Sequence, residues 1–170
     1  MNLTAPIVVA LDSNVIINFN HAKALGVLAK LPGFSFVAPE EVQNEMMKEK
    51  SRDGFALAEA RGWLSVVSLD EIEEQRWNLE AKLLIQKGEA ACLALARSRG
   101  YHVACDERRK YDRLAVDWIG RERMLNTVGL MVLMIREGLL SVAEADGYLE
   151  IWKESRFAVR FRSFQELVGD

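Results

Sequence analysis

The stretch Ile7-Val8-Val9-Ala10-Leu11-Asp12 decides the fold. Its first five residues are apolar, three of them are β-branched, and an acid closes the run. This pattern is typical of a strand buried on both faces, as in parallel sheets covered by helices. Similar short runs occupy residues 34–38, 64–69 and 102–105, with sequence of helical periodicity between them. The alternation predicts βαβ units and an α/β fold.

Helix signals fill the segments between these runs. We predict helices over residues 40–49, 90–96, 128–137 and 141–153. Gly100 follows the second, as glycine often does at a helix end, and Ser141 with Glu144 forms the sequence of a capping box for the last. No repeat or linker interrupts the 170 residues, so we predict one domain over residues 1–154.

Residues 155–170 are predicted to form a C-terminal extension. Within it, Phe157, Val159 and Phe161 alternate with Arg156, Arg160 and Arg162. A period of two predicts an extended segment with one apolar face. That face could pack on the chain's own domain or on a partner.

The charge distribution limits the classes of partner. A net charge of -3 argues against a protein that coats nucleic acid through overall positive potential. Residues 97–123 nevertheless carry 8 Lys/Arg against 5 Asp/Glu, including Arg108, Arg109, Lys110 and Arg113. These four could face phosphate groups or form a solvated helix face.

Nothing in the sequence predicts export or a membrane. No basic residue precedes the first apolar run, Asp12 interrupts that run, and the apolar residues 128–135 are too few to span a bilayer. Cys92 and Cys105 lack CxxC spacing and lie in apolar segments, which favours buried thiols. We expect a cytoplasmic protein.

Four acids are placed where a parallel sheet binds its ligands. Asp12 and Asp106 each follow a predicted strand, Glu45 lies in the helix after the second strand, and Glu89 lies in the first turn of the helix that leads to Asp106. The carboxyl ends of parallel strands face a common crevice. The four carboxylates are therefore expected to share one pocket.

Such a pocket needs a cation, because carboxylates a few ångströms apart repel each other and raise each other's pKa. Mg²⁺ and Mn²⁺ prefer oxygen ligands, and either ion could activate a water and neutralise charge on a phosphate. Each acid also has a structural alternative. Asp12 and Asp106 could cap helices, Glu89 could complement a helix dipole, and Glu45 could be an exposed helix acid.

The chain resembles the PIN-domain nucleases, a family that includes the VapC-type toxins of toxin–antitoxin pairs. The likeness spans nearly the whole chain and rests on ordered motifs that are weak singly. They are Val8-Val-Ala-Leu-Asp-Ser-Asn14, Ala38-Pro-Glu-Glu-Val-Gln-Asn-Glu45, Lys87-Gly-Glu-Ala-Ala-Cys-Leu-Ala-Leu-Ala96, Val103-Ala-Cys-Asp-Glu-Arg-Arg109, and Asn126-Thr-Val-Gly129 with Arg136-Glu-Gly-Leu-Leu140.

The resemblance implies a three-layer α/β/α sandwich around a parallel sheet of four or five strands. It also implies cleavage of single-stranded RNA that depends on Mg²⁺ or Mn²⁺. Its acidic positions fall on the same four residues, with Asp12, Glu89 and Asp106 binding metal and Glu45 completing the site. Residues with expected supporting roles are Asn14, Glu107, Asp112 and Thr127.

The sequence departs from the family pattern at two points near the site. Ala104 stands where many members have Thr or Ser, so a polar contact to Asp106 is missing or comes from elsewhere, for example from Thr127. Glu89 replaces the commoner Asp. The family also suggests a homodimer and, for a toxin, an antitoxin protein that occludes the acids.

The leading hypothesis is thus a ribonuclease that acts as a toxin, in which the RNA backbone is held by Arg108, Arg109, Lys110 and Arg113. One alternative is a catalytically inactive PIN scaffold that binds RNA or a protein. Another is a phosphatase-like hydrolase with Asp12 as nucleophile, but that pattern requires a second Asp where Asn14 stands.

Overall fold

The central sheet has five strands, all parallel, in the computed structural model, which describes residues 5–107 and 109–169. The strands are β1 (Ile7–Leu11), β2 (Phe34–Pro39), β3 (Ser65–Val67), β4 (His102–Ala104) and β5 (Met124–Leu125). Their order is β3-β2-β1-β4-β5. Strands β2 and β3 are therefore added on one side of β1, and β4 and β5 on the other. The carboxyl ends of β1 and β4 lie side by side.

Strand β1 lies at the centre of the sheet, where its apolar residues are buried. Val9, Ala10 and Leu11 have no solvent exposure, and β1 pairs with β2 on one side and β4 on the other. Buried on both faces and both edges, the apolar run leaves Asp12 as its first polar residue at the carboxyl edge of the sheet.

Helices cover the sheet in two groups. Among the described residues, the helices are α1 (Ser13–His21), α2 (Leu25–Leu28), α3 (Glu40–Met46), α4 (Arg52–Ala60), α5 (Ile72–Lys82), α6 (Lys87–Arg99), α7 (Lys110–Ile119), α8 (Thr127–Arg136), α9 (Val142–Glu154) and α10 (Gln165–Val168). Helix α6 packs against α5, α7 and the sheet, whereas α1 packs against α4, α8 and α9. The predicted α/β/α sandwich is confirmed, with five strands.

Several predicted boundaries need correction. Helix α3 ends at Met46, α6 extends from Lys87 to Arg99, and β3 is shorter than predicted. Gly100 ends α6 in the left-handed conformation expected of glycine (φ 69°), and the capping box at Ser141 is present. Asp106 does not cap a helix at Glu107, because α7 begins only at Lys110.

The C-terminal segment folds back onto the domain. Phe157, Val159 and Phe161 pack against the core, while the residues between them are exposed, so the predicted alternation is present. Phe164 is fully buried, and its backbone N–H donates to the carboxylate of Asp146 at 2.8 Å. The apolar face therefore contacts this chain's own core. In the described part of the chain, no helix is long and apolar enough to cross a membrane.

Candidate active site

Asp12 is a buried acid at the junction of β1 and α1. Only 2% of the residue is exposed, and its backbone N–H donates to the carbonyl of Ala104 at the end of β4 at 3.0 Å. The apolar strand before it and the apolar side chains of Val15 and Ile16 after it leave the carboxylate at the sheet edge. Its position follows directly from the sequence pattern that ends the strand.

Glu45 and Asp12 meet at the start of helix α6, where Gly88 permits a close approach. The backbone N–H of Gly88 donates to Oε1 of Glu45 at 3.1 Å. A Cβ atom at Gly88 would lie 2.9 Å from Glu45 Oε2 and 3.1 Å from Asp12 Oδ1. A side chain here would fill the space between the two carboxylates, so glycine keeps that space open.

Glu89 completes the cluster from the first turn of α6. The residue is 2% exposed, and its Oε2 accepts a hydrogen bond from the backbone N–H of Gln86 at 3.1 Å, as part of a capping box. Its other oxygen, Oε1, is buried and has no hydrogen-bond partner within the described residues. Burying a carboxylate oxygen without a hydrogen-bond partner costs free energy, so we expect this atom to bind a ligand.

The electrostatics reflect these like charges. Burial, followed by the charges of Glu89 and Glu45, raises the pKa of Asp12 to about 7, although the backbone at Ser13 and Asn14 acts in the opposite direction. Burial also raises the pKa of Glu89, with further contributions from the charges of Glu107 and Glu45. Without a cation, the cluster therefore retains protons that isolated acids would lose.

Asp106 lies beyond β4, outside the group formed by Asp12, Glu89 and Cys105, and is held by hydrogen bonds. Its Oδ1 accepts from the backbone N–H of Thr127 at 2.8 Å, and its Oδ2 accepts from the Thr127 hydroxyl at 2.6 Å. The amide of Asn18 also donates to Oδ2, at 2.9 Å. Charge-assisted bonds of this kind fix the orientation of a carboxylate. Thr127 thus makes the polar contact that Ala104 cannot.

Asn18 was missed by the sequence analysis. It is a buried residue in the middle of α1, among the apolar Val15, Ile16 and Phe19. A polar residue on the apolar face of a helix was the available signal, because a buried amide needs partners. Its partners, Asp106 and Thr127, lie 88 and 109 residues away in sequence.

The cluster suits a divalent cation. One ligand atom each from Asp12, Glu89 and Cys105 lies within 4.8 Å of the other two, and the Cys105 sulfur is 4.0 Å from Asp12 Oδ2. Burial raises the pKa of the Cys105 thiol, so it remains neutral. The oxygens of Asp12 and Glu89, including the unpartnered Oε1, are the hard donors that Mg²⁺ or Mn²⁺ prefers.

The other predicted site residues are more dispersed. The side chain of Asn14 is exposed, whereas Glu107 and Asp112 line a cavity of about 350 Å³ together with Asp106. Arg109 and Lys110 line another cavity, of about 330 Å³, which includes Glu89. Arg113 is exposed and lies with Lys110 and Leu84 at a third cavity away from the acids. Arg108 lies outside the described residues.

A comparison with protein families found one model that matches residues 7–167, and that model is described as a PIN domain. The match covers all five strands, the four acids and most of the C-terminal segment. Comparisons with curated proteins and with solved structures found no match.

Proposed function

The chain belongs to the PIN-domain family, whose members are generally metal-dependent nucleases, and we propose that it is an endoribonuclease that cleaves single-stranded RNA. The observation that carries the proposal is the buried Glu89 Oε1, which has no hydrogen-bond partner among the described residues and lies in the cluster with Asp12. Charges buried in this way destabilise a fold unless a ligand compensates them.

The residues divide the work as follows. Asp12 and Glu89 would hold a cation such as Mg²⁺ or Mn²⁺, and Asp106, oriented by Thr127 and Asn18, would complete its ligands. Such an ion supplies an activated water and neutralises charge on the scissile phosphate. Glu45, whose Oε1 accepts the Gly88 N–H, would orient that water across the space beside Gly88 that separates it from Asp12. The exposed Arg109 and Lys110 would attract the RNA backbone.

The motif resemblance supports a more specific role as the toxin of a toxin–antitoxin pair. In that role, a second protein would cover the acids, most simply with an arginine that pairs with the carboxylates. A second copy of the chain is the expected partner in a homodimer. Co-expression with the product of the neighbouring upstream gene tests the toxin role, which is wrong if that product neither binds the chain nor blocks its activity.

The nuclease proposal is tested by substituting Asp12→Asn. We expect RNA cleavage in Mn²⁺ to fall by more than about 100-fold, because loss of a residue that merely orients a metal ligand already costs about 10- to 100-fold. The matched control is Asp53→Asn, the same change at an exposed acid in α4. It should cleave at the wild-type rate.

A thermal melt separates the nuclease from an inactive scaffold. Millimolar Mn²⁺ should raise the Tm of the wild-type chain and of Asp53→Asn but not that of Asp12→Asn. The reason is that the ion stabilises only a folded chain whose acid cluster is intact. Equal cleavage by both variants, or no effect of Mn²⁺ on the wild-type Tm, would contradict the proposal.

A further inference from the structure

The C-terminal segment lines a cavity of about 490 Å³ that includes Asp106. That volume is typical of sites for small molecules, about 300–1,000 Å³. Its walls are lined by Phe157, Ala158, Val159, Arg160, Phe161 and Leu167 on one side and by Asp106, Asn126 and Val128 on the other. We call it the C-terminal groove.

The C-terminal groove is continuous with the candidate active site. Asp106 and Asn126 line both this groove and the cavity of about 350 Å³ that includes Cys105 and Glu107. A molecule that occupies either cavity therefore lies beside Asp106, the member of the four acids that lines both. For a polymer cut at the acids, the groove is the adjacent place for a neighbouring unit.

Aromatic rings in the groove are held in place by other rings. Phe157 meets Trp152 edge to face at 5.3 Å between centroids, and Phe161 meets Phe164 at 5.0 Å. Trp152 and Phe164 are fully buried, whereas Phe157 and Phe161 retain partial exposure. Rings anchored in this way present a fixed apolar surface to the cavity, and little side-chain entropy is lost when a flat ligand stacks on them.

A cation and an amide complete the chemistry of the walls. Arg160 is exposed and lines the groove between the two phenylalanines in sequence. Asn126 lies at the end shared with the active site. Aromatic rings for a base, a guanidinium for a phosphate and an amide for hydrogen bonding are the combination that proteins use for single-stranded nucleic acid.

We infer that the C-terminal groove is a subsite for one nucleotide of single-stranded RNA, next to the scissile phosphate. The base would stack on Phe161 or Phe157, and Arg160 would contact the backbone. This inference rests on the proposed ribonuclease function and extends it, because it assigns substrate binding to a segment outside the acid cluster. The cavity has room for a flat base, and Arg160 offers a positive charge to a phosphate.

The test measures binding of a fluorescently labelled single-stranded RNA by anisotropy. All variants are made in the Asp12→Asn background, which keeps the RNA intact. Phe161→Leu should weaken binding by about tenfold, the size typical of one lost stacking contact. Arg160→Gln should also weaken binding, because it removes a positive charge that contacts a phosphate. Arg162→Gln, the same change two residues away, should bind like the parent, since Arg162 is not among the lining residues.

Further controls address the fold and the ring. Phe34→Leu alters a half-buried phenylalanine at the amino end of β2, the sheet edge opposite to the acids, and should not affect binding. Phe161→Tyr keeps the ring and should retain RNA binding. If Phe161→Leu binds RNA weakly only because it is poorly packed, its Tm should also be lower than that of the parent.

An abasic scan identifies the nucleotide that uses the groove. Removing one base should weaken binding to the parent protein at a single position of the RNA. At that position Phe161→Leu should show no additional loss, because the base and the ring interact with each other. The proposal is overturned if Arg160→Gln and Phe161→Leu bind RNA like the parent, or if the controls lose as much affinity.

The results also separate the two proposals. If the wild-type chain cleaves RNA while all groove variants bind equally, the ribonuclease stands and the subsite is rejected, leaving the groove for another occupant such as a peptide of a partner protein. If the groove variants bind RNA more weakly but the wild-type chain never cleaves, the ribonuclease is rejected, and the groove is an RNA-binding site rather than a cleavage subsite.

Discussion

A buried carboxylate lies at each end of helix α6, and the two ends are built in opposite ways. At its first turn, Glu89 lies beside other acids and leaves Oε1 without a partner among the described residues. At its last turn, Arg99 forms hydrogen bonds of 2.7 and 2.9 Å to the buried carboxylate of Glu74 and one of 2.8 Å to the carbonyl of Ser68.

The pKa directions express the same contrast. The hydrogen bond from Arg99 is the largest influence on Glu74 and lowers its pKa, whereas burial is the largest influence on Glu89 and raises its pKa. A paired end stabilises the fold, and an end with like charges opposes folding. The comparison teaches that burial of an acid indicates function only where its charge is left uncompensated.

The sharpest way to test this contrast is to make the same change at both ends. Glu89→Gln should reduce RNA cleavage by more than about 100-fold, because it removes a proposed metal ligand. It should also leave the metal-free protein as stable as the wild type or more so, since it removes repulsion and its carbonyl can still accept the Gln86 N–H. Cleavage assays and chemical denaturation in EDTA measure the two effects.

Glu74→Gln is the matched counterpart. It should lower the free energy of unfolding by about 2–3 kcal/mol, between the values for a surface pair and a fully buried pair, because Arg99 remains partly exposed. Cleavage by the folded fraction should be unchanged. If both variants lose stability equally, or if Glu89→Gln cleaves normally, the two ends of α6 do not differ as argued.

A pH series distinguishes the two ends without mutation. Because the pKa of Asp12 is raised from 3.8 to about 7, the folded metal-free protein holds a proton that the unfolded chain has released between these values. Its stability should therefore fall as the pH rises through this window, by about 2 kcal/mol between about pH 5.5 and 8. Denaturation in EDTA measures this.

Asp12→Asn supplies the control for the pH series, because it should largely remove the loss of stability at rising pH. Glu74 acts in the opposite direction, since its pKa is lowered and its contribution to stability is lost only as the pH falls. Stability of the wild-type apoprotein that increases from pH 5.5 to 8 would mean that the acid cluster is not a source of repulsion.

The sequence was sufficient to predict features that depend on local patterns. Strand β1 has the predicted limits because a continuous apolar run ends at an acid, and Gly100 ends α6 because few other residues adopt a positive φ. Strand β5 was not predicted, since the two residues Met124–Leu125 are too few to show a period. It is defined only by its pairing with β4.

Long-range contacts explain what was missed at the site. Asn18 is separated from Asp106 by 88 residues, and its place on the apolar face of α1 indicates that it needs a partner but not which one. Cys105 was interpreted as a buried thiol, and it is buried, but its position 4.0 Å from Asp12 depends on how β1 and β4 pair. Patterns predict which residues reach the sheet edge, whereas their mutual contacts require the fold.

Asp106 is an acid at the carboxyl edge of the sheet, and both of its carboxylate oxygens accept hydrogen bonds. The smallest expected effects concern these bonds. Thr127→Val keeps the shape and the backbone N–H but removes the 2.6 Å hydroxyl bond to Oδ2. If Thr127 positions Asp106 for the metal, as proposed, cleavage at low Mn²⁺ should fall by about tenfold and recover as Mn²⁺ is raised. The free energy of unfolding should fall by only about 1 kcal/mol.

Asn18→Ala should have a similar effect, and the two changes combined should cost less than their sum, because both donors act on one oxygen. A defect that Mn²⁺ does not relieve would mean that Thr127 acts on folding rather than on the metal site, and Asp106 would then belong with Glu74 among the acids that stabilise the fold.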